Sequence, residues 1–161
     1  MMQVSQKCQY ALRAVYELAK RHGEGPATAP DIARAQAIPP KFLELILQEL
    51  RQAGLVESRR GPQGGYLLAG DPRVLTVGQV IRLIEGPFAP VSCIAAGDPG
   101  PNPNGAGGAS APGPCPLQGR CAFLNMWERA HSAVAGVLDA TTFQDLIEAE
   151  REVAFVPNYC I

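Results

Sequence analysis

No uninterrupted apolar stretch in these 161 residues approaches the roughly 20 needed to cross a bilayer. The opening Met1-Met2-Gln3-Val4-Ser5-Gln6-Lys7 also lacks an apolar core of signal-peptide length. Both absences predict a cytoplasmic protein with no membrane partner. A strong charge of either sign is missing too: the formal net charge is −1, which taken whole argues against a strongly basic nucleic-acid binder. The two histidines, His22 and His131, have no companions that would complete an acid/base pair or a nucleophile triad, so an enzyme is not expected. An even set of cysteines is lacking as well. Five of them, Cys8, Cys93, Cys115, Cys121 and Cys160, in a chain without an export signal argue against a disulfide framework and turn the question to metal or redox chemistry.

What is present is a globular balance, 47% hydrophobic and 18% charged, in a length that suits one ordinary domain or a small domain with an appendage. The near-zero total hides an asymmetry. Residues 1–70 hold nine Lys/Arg against six Asp/Glu, a local +3, whereas residues 71–161 hold five against nine, a local −4. Attraction to phosphate depends on local rather than total charge.

The basic half contains Leu55-Val56-Glu57-Ser58-Arg59-Arg60-Gly61-Pro62-Gln63-Gly64-Gly65-Tyr66-Leu67-Leu68, which reads as two short strands joined by a glycine-rich tip. Gly64 and Gly65 are expected to supply the positive backbone angles of the turn, and Pro62 stiffens it. Arginines at a hairpin tip cannot be explained by burial, so Arg59 and Arg60 are read as pointing outward to an anion. A solvated hairpin end is the alternative for this segment taken alone.

Before the hairpin, Ala11, Ala14, Val15, Leu18 and Ala19 recur at helical spacing between Val4 and Lys20, with Arg13, Glu17 and Lys20 off that face. Thr28-Ala29-Pro30-Asp31 offers a cap, an early proline and an acid three residues on, opening a short helix that ends near Ala37. A third helix starts at Pro39-Pro40, repeats Phe42, Leu43, Ile46, Leu47 and Leu50, and stops at Gly54. Two helices joined by a brief turn and followed by a two-stranded wing make a winged helix-turn-helix, whose third helix enters the major groove of double-stranded DNA.

Beyond the wing, Thr76-Val77-Gly78-Gln79 caps a fourth helix that runs to Glu85 and stops at Gly86-Pro87. Residues 95–114 are almost entirely Gly, Pro, Ala, Asn and Ser, which predicts a mobile loop. Phe123, Leu124, Trp127, Ala130, Val134, Val137 and Leu138 then form a helical stripe from about Cys121 to Ala140. It is too apolar to leave in water and too large for the last helix, Thr142 to about Glu152, to cover. Self-association through it predicts a homodimer, with two recognition helices one DNA turn, roughly 34 Å, apart on a near-palindromic operator. The expected fold is therefore mainly α with a small two-stranded β wing. Residues 1–75 form the winged helix-turn-helix, and residues 76–161 form a sensor loop, with its flexible insert, and the long dimerisation helix.

Five segments carry a resemblance to a known family. They are Tyr10-Ala11-Leu12-Arg13-Ala14, Ile38-Pro39-Pro40-Lys41-Phe42-Leu43-Glu44, Leu50-Arg51-Gln52-Ala53-Gly54-Leu55-Val56, Arg60-Gly61-Pro62-Gln63-Gly64-Gly65-Tyr66 and Val80-Ile81-Arg82-Leu83-Ile84-Glu85-Gly86. In order and spacing they resemble the Rrf2 family of bacterial transcription regulators, over nearly the whole chain apart from residues 95–114. The resemblance implies a homodimeric repressor or dual regulator, of which several members sense iron-sulfur status, nitric oxide or redox state through a cysteine-held cluster. It places base-reading positions on Lys41, Phe42, Glu44 and Leu45 and a wing arginine on Arg60; Arg51, Arg59 and Gln63 complete the expected DNA-facing set. Phe42 and Leu45 stand where the iron-sulfur-regulator subgroup usually has a tyrosine and a glutamine, so hydrogen-bonding groups that read base edges are lost and a different operator is implied. Glu44 could accept from a cytosine amine and Lys41 could reach guanine or phosphate, while Leu45, with Leu43, Ile46 and Leu47, is expected in the core.

Cys93, Cys115 and Cys121 follow the family's ligand order, with a first gap of 21 residues and a second of five, as though the Pro/Gly segment were inserted without removing a ligand. Three converging thiolates fit a [2Fe-2S] or [4Fe-4S] cluster, and zinc would use the same ligands. The fourth ligand is open. The histidine that one subgroup has three residues after the last cysteine is Leu124 here, and the helix 1 acid of others falls on Gln9, beside Cys8; one residue is a rotation of about 100° along a helix. Cys8 equally suits a small buried position. Cys160 and His131 are poorer candidates, and His22 is expected to be simply exposed. A DNA-binding regulator with a plain thiol or zinc site, and a winged protein-interaction module, are the alternative functions.

Overall fold

The computed structural model describes residues 4–87, 91, 94, 117 and 120–154. Among the described residues the elements follow in order: α1 (Gln6–Lys20), α2 (Ala29–Gln36), α3 (Pro40–Gln52), β1 (Val56–Arg59), β2 (Gly65–Leu68), α4 (Val77–Glu85), α5 (Leu124–Ala140) and α6 (Phe143–Ala154). The expected mainly helical chain with a two-stranded antiparallel wing is what is found. The segment 95–114 and Cys93, Cys115 and Cys160 lie outside the described residues.

Local chemistry sets most boundaries. Ser5 caps α1 by accepting from the Cys8 amide at 3.1 Å, so the helix starts at Gln6. Thr28 caps α2, accepting from the Asp31 amide, and Thr76 and Gln79 form a reciprocal capping box at α4. Ala37 closes α2 in the left-handed conformation, φ 50°, giving the tight turn into α3. At α6, the Thr142 amide and hydroxyl both donate to Asp145, and the Asp145 amide donates back to the Thr142 hydroxyl oxygen.

One continuous core holds these elements. Ala11, Ala14, Val15 and Leu18 of α1 pack with Ile32, with Leu43, Ile46, Leu47 and Leu50 of α3, with Val56 and Leu68 of the wing, and with Val80. Phe143 and Ile147 of α6 enter the same core. The chain entering α6 is clasped to the chain entering α4, because the Val77 amide donates to the Thr141 carbonyl and the Phe143 amide to the Leu75 carbonyl.

Several side chains sit where the periodicity did not put them. Leu45, expected in the core, is 64% exposed; at 100° per residue it points about 150° away from the mean direction of Leu43, Ile46, Leu47 and Leu50. Glu17, expected on the solvent side, is only 6% exposed. Its carboxylate accepts from Arg21 Nε at 2.7 Å and from Gln36 Nε2 at 2.9 Å, which ties α1 to the end of α2 and satisfies the buried charge. In the wing, Val56 pairs with Leu68 and Arg59 with Gly65. Positive φ falls on Gly61, 117°, and on Gly65 as expected, but not on Gly64. Gly64 is required for space instead, since a Cβ there would strike the Arg59 and Gly61 carbonyl oxygens, and a Cβ at Gly65 would strike the Ala27 carbonyl. Ala27 and Tyr66 exchange amide-to-carbonyl bonds of 2.9 and 2.8 Å, pinning the wing to the segment before α2.

Candidate nucleic-acid interface and thiol site

The start of α3 is built to stay open. Pro39 and Pro40 have no N–H groups, no side chain caps the helix, and its first turn holds no acid, so the positive end of the helix dipole is not compensated by its own sequence. With the buried row facing α1, helical geometry sets Lys41, Leu45, Gln48 and Gln52 in the middle of the exposed face. Glu44 and Arg51 flank it on one side, Phe42 and Glu49 on the other. The Phe42 ring, 55% exposed, leans on Tyr10 of α1 with 6.2 Å between centroids. Glu49 is drawn back by Lys7 at 2.6 Å, which removes that acid from competition with phosphate.

Arg51 joins the helix to the wing by donating to Ser58 Oγ at 3.4 Å. Arg59, Arg60 and Gln63 are exposed on the wing. Among the described residues Lys41, Arg51, Arg59 and Arg60 make no ion pair, so their charge is available to an external anion. The DNA-facing set named from the sequence is therefore exposed throughout. Gln48 and Gln52 were missed there, although counting in steps of 100° from the buried row finds them.

Of the thiol set, Cys121 is half-buried with a free thiol in the turn leading to α5. Cys8 differs. It is fully buried, and its thiol is pushed up to about 12, first by burial and then by the charge of Glu85 and a hydrogen bond to it. The Glu85 carboxylate also accepts from the Ser5 amide at 2.6 Å, so the end of α4 is tied to the start of α1 directly over Cys8. Gln9 is exposed and donates to the Val4 carbonyl at 3.1 Å. His22 is exposed, and His131 Nε2 is buried with no hydrogen-bond partner among the described residues. The described residues bring no three of His, Cys, Asp and Glu together as a metal site. The chemistry of the donor set still suits a thiophilic group, which is held by thiolates: Cys121 is only half-buried, whereas the buried Cys8 resists ionisation and is the poorer ligand.

The apolar stripe from which pairing was expected divides in two. Leu124, Trp127, Val134 and Leu138 are half-buried, while Phe123, Met126, Ala130, Ala133 and Val137 are exposed, and no residue of α5 is fully buried. Met126 and Ala133, unnamed from the sequence, complete this outer row with spacings of three and four residues. α5 is fastened to α4 by Arg82, whose guanidinium pairs with Asp139 directly above Gly78. Among the described residues no helix is long and apolar enough to cross a membrane.

A helix-turn-helix whose third helix is joined through Arg51 to an arginine-bearing two-stranded wing defines a winged-helix protein of the DNA-binding class. The Rrf2 family model, described as an iron-dependent transcriptional regulator, matches residues 4–149. The HTH-type transcriptional regulator CymR of Bacillus subtilis (strain 168) is 37% identical over 145 residues, 90% of this chain and 89% of that protein. The solved structure of CymR, described as the global cysteine regulator of B. subtilis, aligns with a TM-score of 0.69 at 36% identity, over 92% of this chain and 98% of that one. T. potens IscR aligns with a TM-score of 0.70 at 31% identity, over 98% and 94%. The chain belongs to the Rrf2 family: it is a DNA-binding transcriptional regulator and not an enzyme.

Proposed function

We propose that the chain acts as a homodimer on a near-palindromic operator, with residues 1–75 reading DNA and residues 76–161 carrying the pairing helix and a sensor formed by Cys93, Cys115 and Cys121. The carrying observation is that Lys41, Arg51, Arg59 and Arg60 are exposed and without an ion pair among the described residues, on the recognition helix and wing. Pairing is supported by the exposed row Phe123, Met126, Ala130, Ala133 and Val137, whose three-four spacing is that of a coiled-coil seam with small residues at its centre. An iron-sulfur cluster held by the three thiolates would supply a group sensitive to oxygen, nitric oxide and iron supply. Arg60→Ala should weaken operator binding and flatten its salt dependence by about one unit of slope, since one phosphate contact is lost. Unchanged affinity in that variant would contradict the wing assignment. For the sensor, anaerobic purification should yield a coloured protein with iron and sulfide in equal amounts, and a footprint of loaded against apo protein should differ.

A second reading is a plain thiol switch or zinc site, favoured by the similarity to a relative described as a global cysteine regulator. A colourless, iron-free protein whose DNA affinity changes on thiol oxidation, or which carries one zinc per chain, would establish it in place of the cluster.

A further inference from the structure

Leu45 occupies the middle of the solvent face of α3 and is 64% exposed, and Phe42, 55% exposed, stands one turn before it on the flank. Exposed apolar side chains are common singly, but these two share the exposed part of α3 with Lys41 and Arg51, and the wing that Arg51 reaches through Ser58 carries Arg59 and Arg60; against these four cations the same part of α3 exposes one unpaired acid among the described residues, Glu44. That charge rules the occupant: it attracts a polyanion, and the only apolar groups a DNA duplex offers in its major groove are the 5-methyl groups of thymine. A leucine has no donor or acceptor for a base edge, so at this position it rejects hydrogen-bonded readout and leaves shape and methyl contact. We infer that Leu45, with Phe42 beside it, is a specificity-determining residue that selects thymine at the centre of each half-site through its methyl group. Resting on the DNA-reading surface proposed above, the inference names what that surface recognises.

The test uses the full chain and an operator obtained from it by selection on a random duplex library. Each thymine of the half-site is then replaced in turn by uracil, which removes the methyl group and leaves the Watson–Crick edge intact. One or two replacements under α3 should each weaken wild-type binding about fourfold, the worth of one buried methylene-sized group, while replacements elsewhere leave affinity unchanged. In Leu45→Ala, a surface substitution that leaves the core intact, the same uracils should cost nothing, which separates methyl contact from altered DNA stacking. Undiminished wild-type affinity for every uracil-substituted operator overturns the inference and leaves the DNA-reading surface standing. An equal loss in wild type and Leu45→Ala overturns it too. Failure of the library to yield any preferred duplex removes both.

Discussion

Cys8 and Glu17 are the two places where a single atom group decides more than its neighbours in the sequence suggest. Both lie on α1, and both are buried against a partner from a distant helix, Glu85 for Cys8 and Gln36 for Glu17. For Cys8 the consequence is measurable as a pH dependence. Its thiol is raised to about 12 in the fold from an ordinary value of 9.0, so the folded chain keeps a proton that the unfolded chain gives up. The associated stability is complete below pH 9 and is lost as pH rises towards 12, since above the unfolded value only the unfolded state gains by ionising. Native protein should therefore lose more stability than Cys8→Ala between pH 8 and about 11, measured by urea unfolding at each pH. In the same protein at pH 8, mass-mapped alkylation should label Cys121 and leave Cys8 unmodified until the chain unfolds. Rapid labelling of Cys8 in the native state would show that its burial is not maintained. Neither role was legible in the sequence, because periodicity assigns a residue to a side of its helix but not to a partner 77 or 19 positions away.

Helix starts were legible because their determinants are local. Thr28 with Asp31 and Thr76 with Gln79 lie within four residues of each other and form the caps their spacing predicts. The packing of α4 on α5 is the opposite case. Gly78 looks like a weak point in a helix, yet a Cβ there would run into the Asp139 carboxylate that holds Arg82. Two effects oppose each other in Gly78→Ala. Alanine gains about 1 kcal/mol of helix propensity, and displacing Asp139 from a partly buried arginine sacrifices up to about 1 kcal/mol. The substitution alone should accordingly fall between neutral and stabilising by less than about 1 kcal/mol, and in an Asp139→Ala background it should be stabilising by the full amount of about 1 kcal/mol. A double-mutant cycle from thermal or urea unfolding gives the coupling directly. Additive effects of the two substitutions would show that Gly78 is not reserved for the Asp139 side chain.

At the scale of the whole molecule the chain divides its apolar surface between a core it can close alone and a row it cannot. The core runs from Ala11 to Ile147 and includes Phe143 of the last helix, so the winged part does not depend on a second copy for its own burial. The row on α5 is different: Phe123, Met126 and Val137 are all exposed, and Val137 most of all at 66%. The sequence showed α5 to be too apolar for water, but its single stripe merged residues resting on the protein with residues facing away from it, a distinction that only the direction of α4 supplies. If the proposed homodimer forms along this row, a carboxylate at Val137 is costly only in the dimer, where it would be withdrawn from water at an apolar seam. Val137→Asp should sediment as a monomer at concentrations where the wild type is dimeric. It should keep the circular dichroism of the folded chain, because nothing in the intramolecular core is touched. Operator binding should fall by at least about tenfold, since each half-site is then bound without help from the other, while Val137→Ala, which shortens the side chain without charging it, should remain mostly dimeric. A Val137→Asp protein that stays dimeric would move the pairing surface away from α5, and a wild type that is monomeric while binding DNA tightly would remove the two-fold reading altogether.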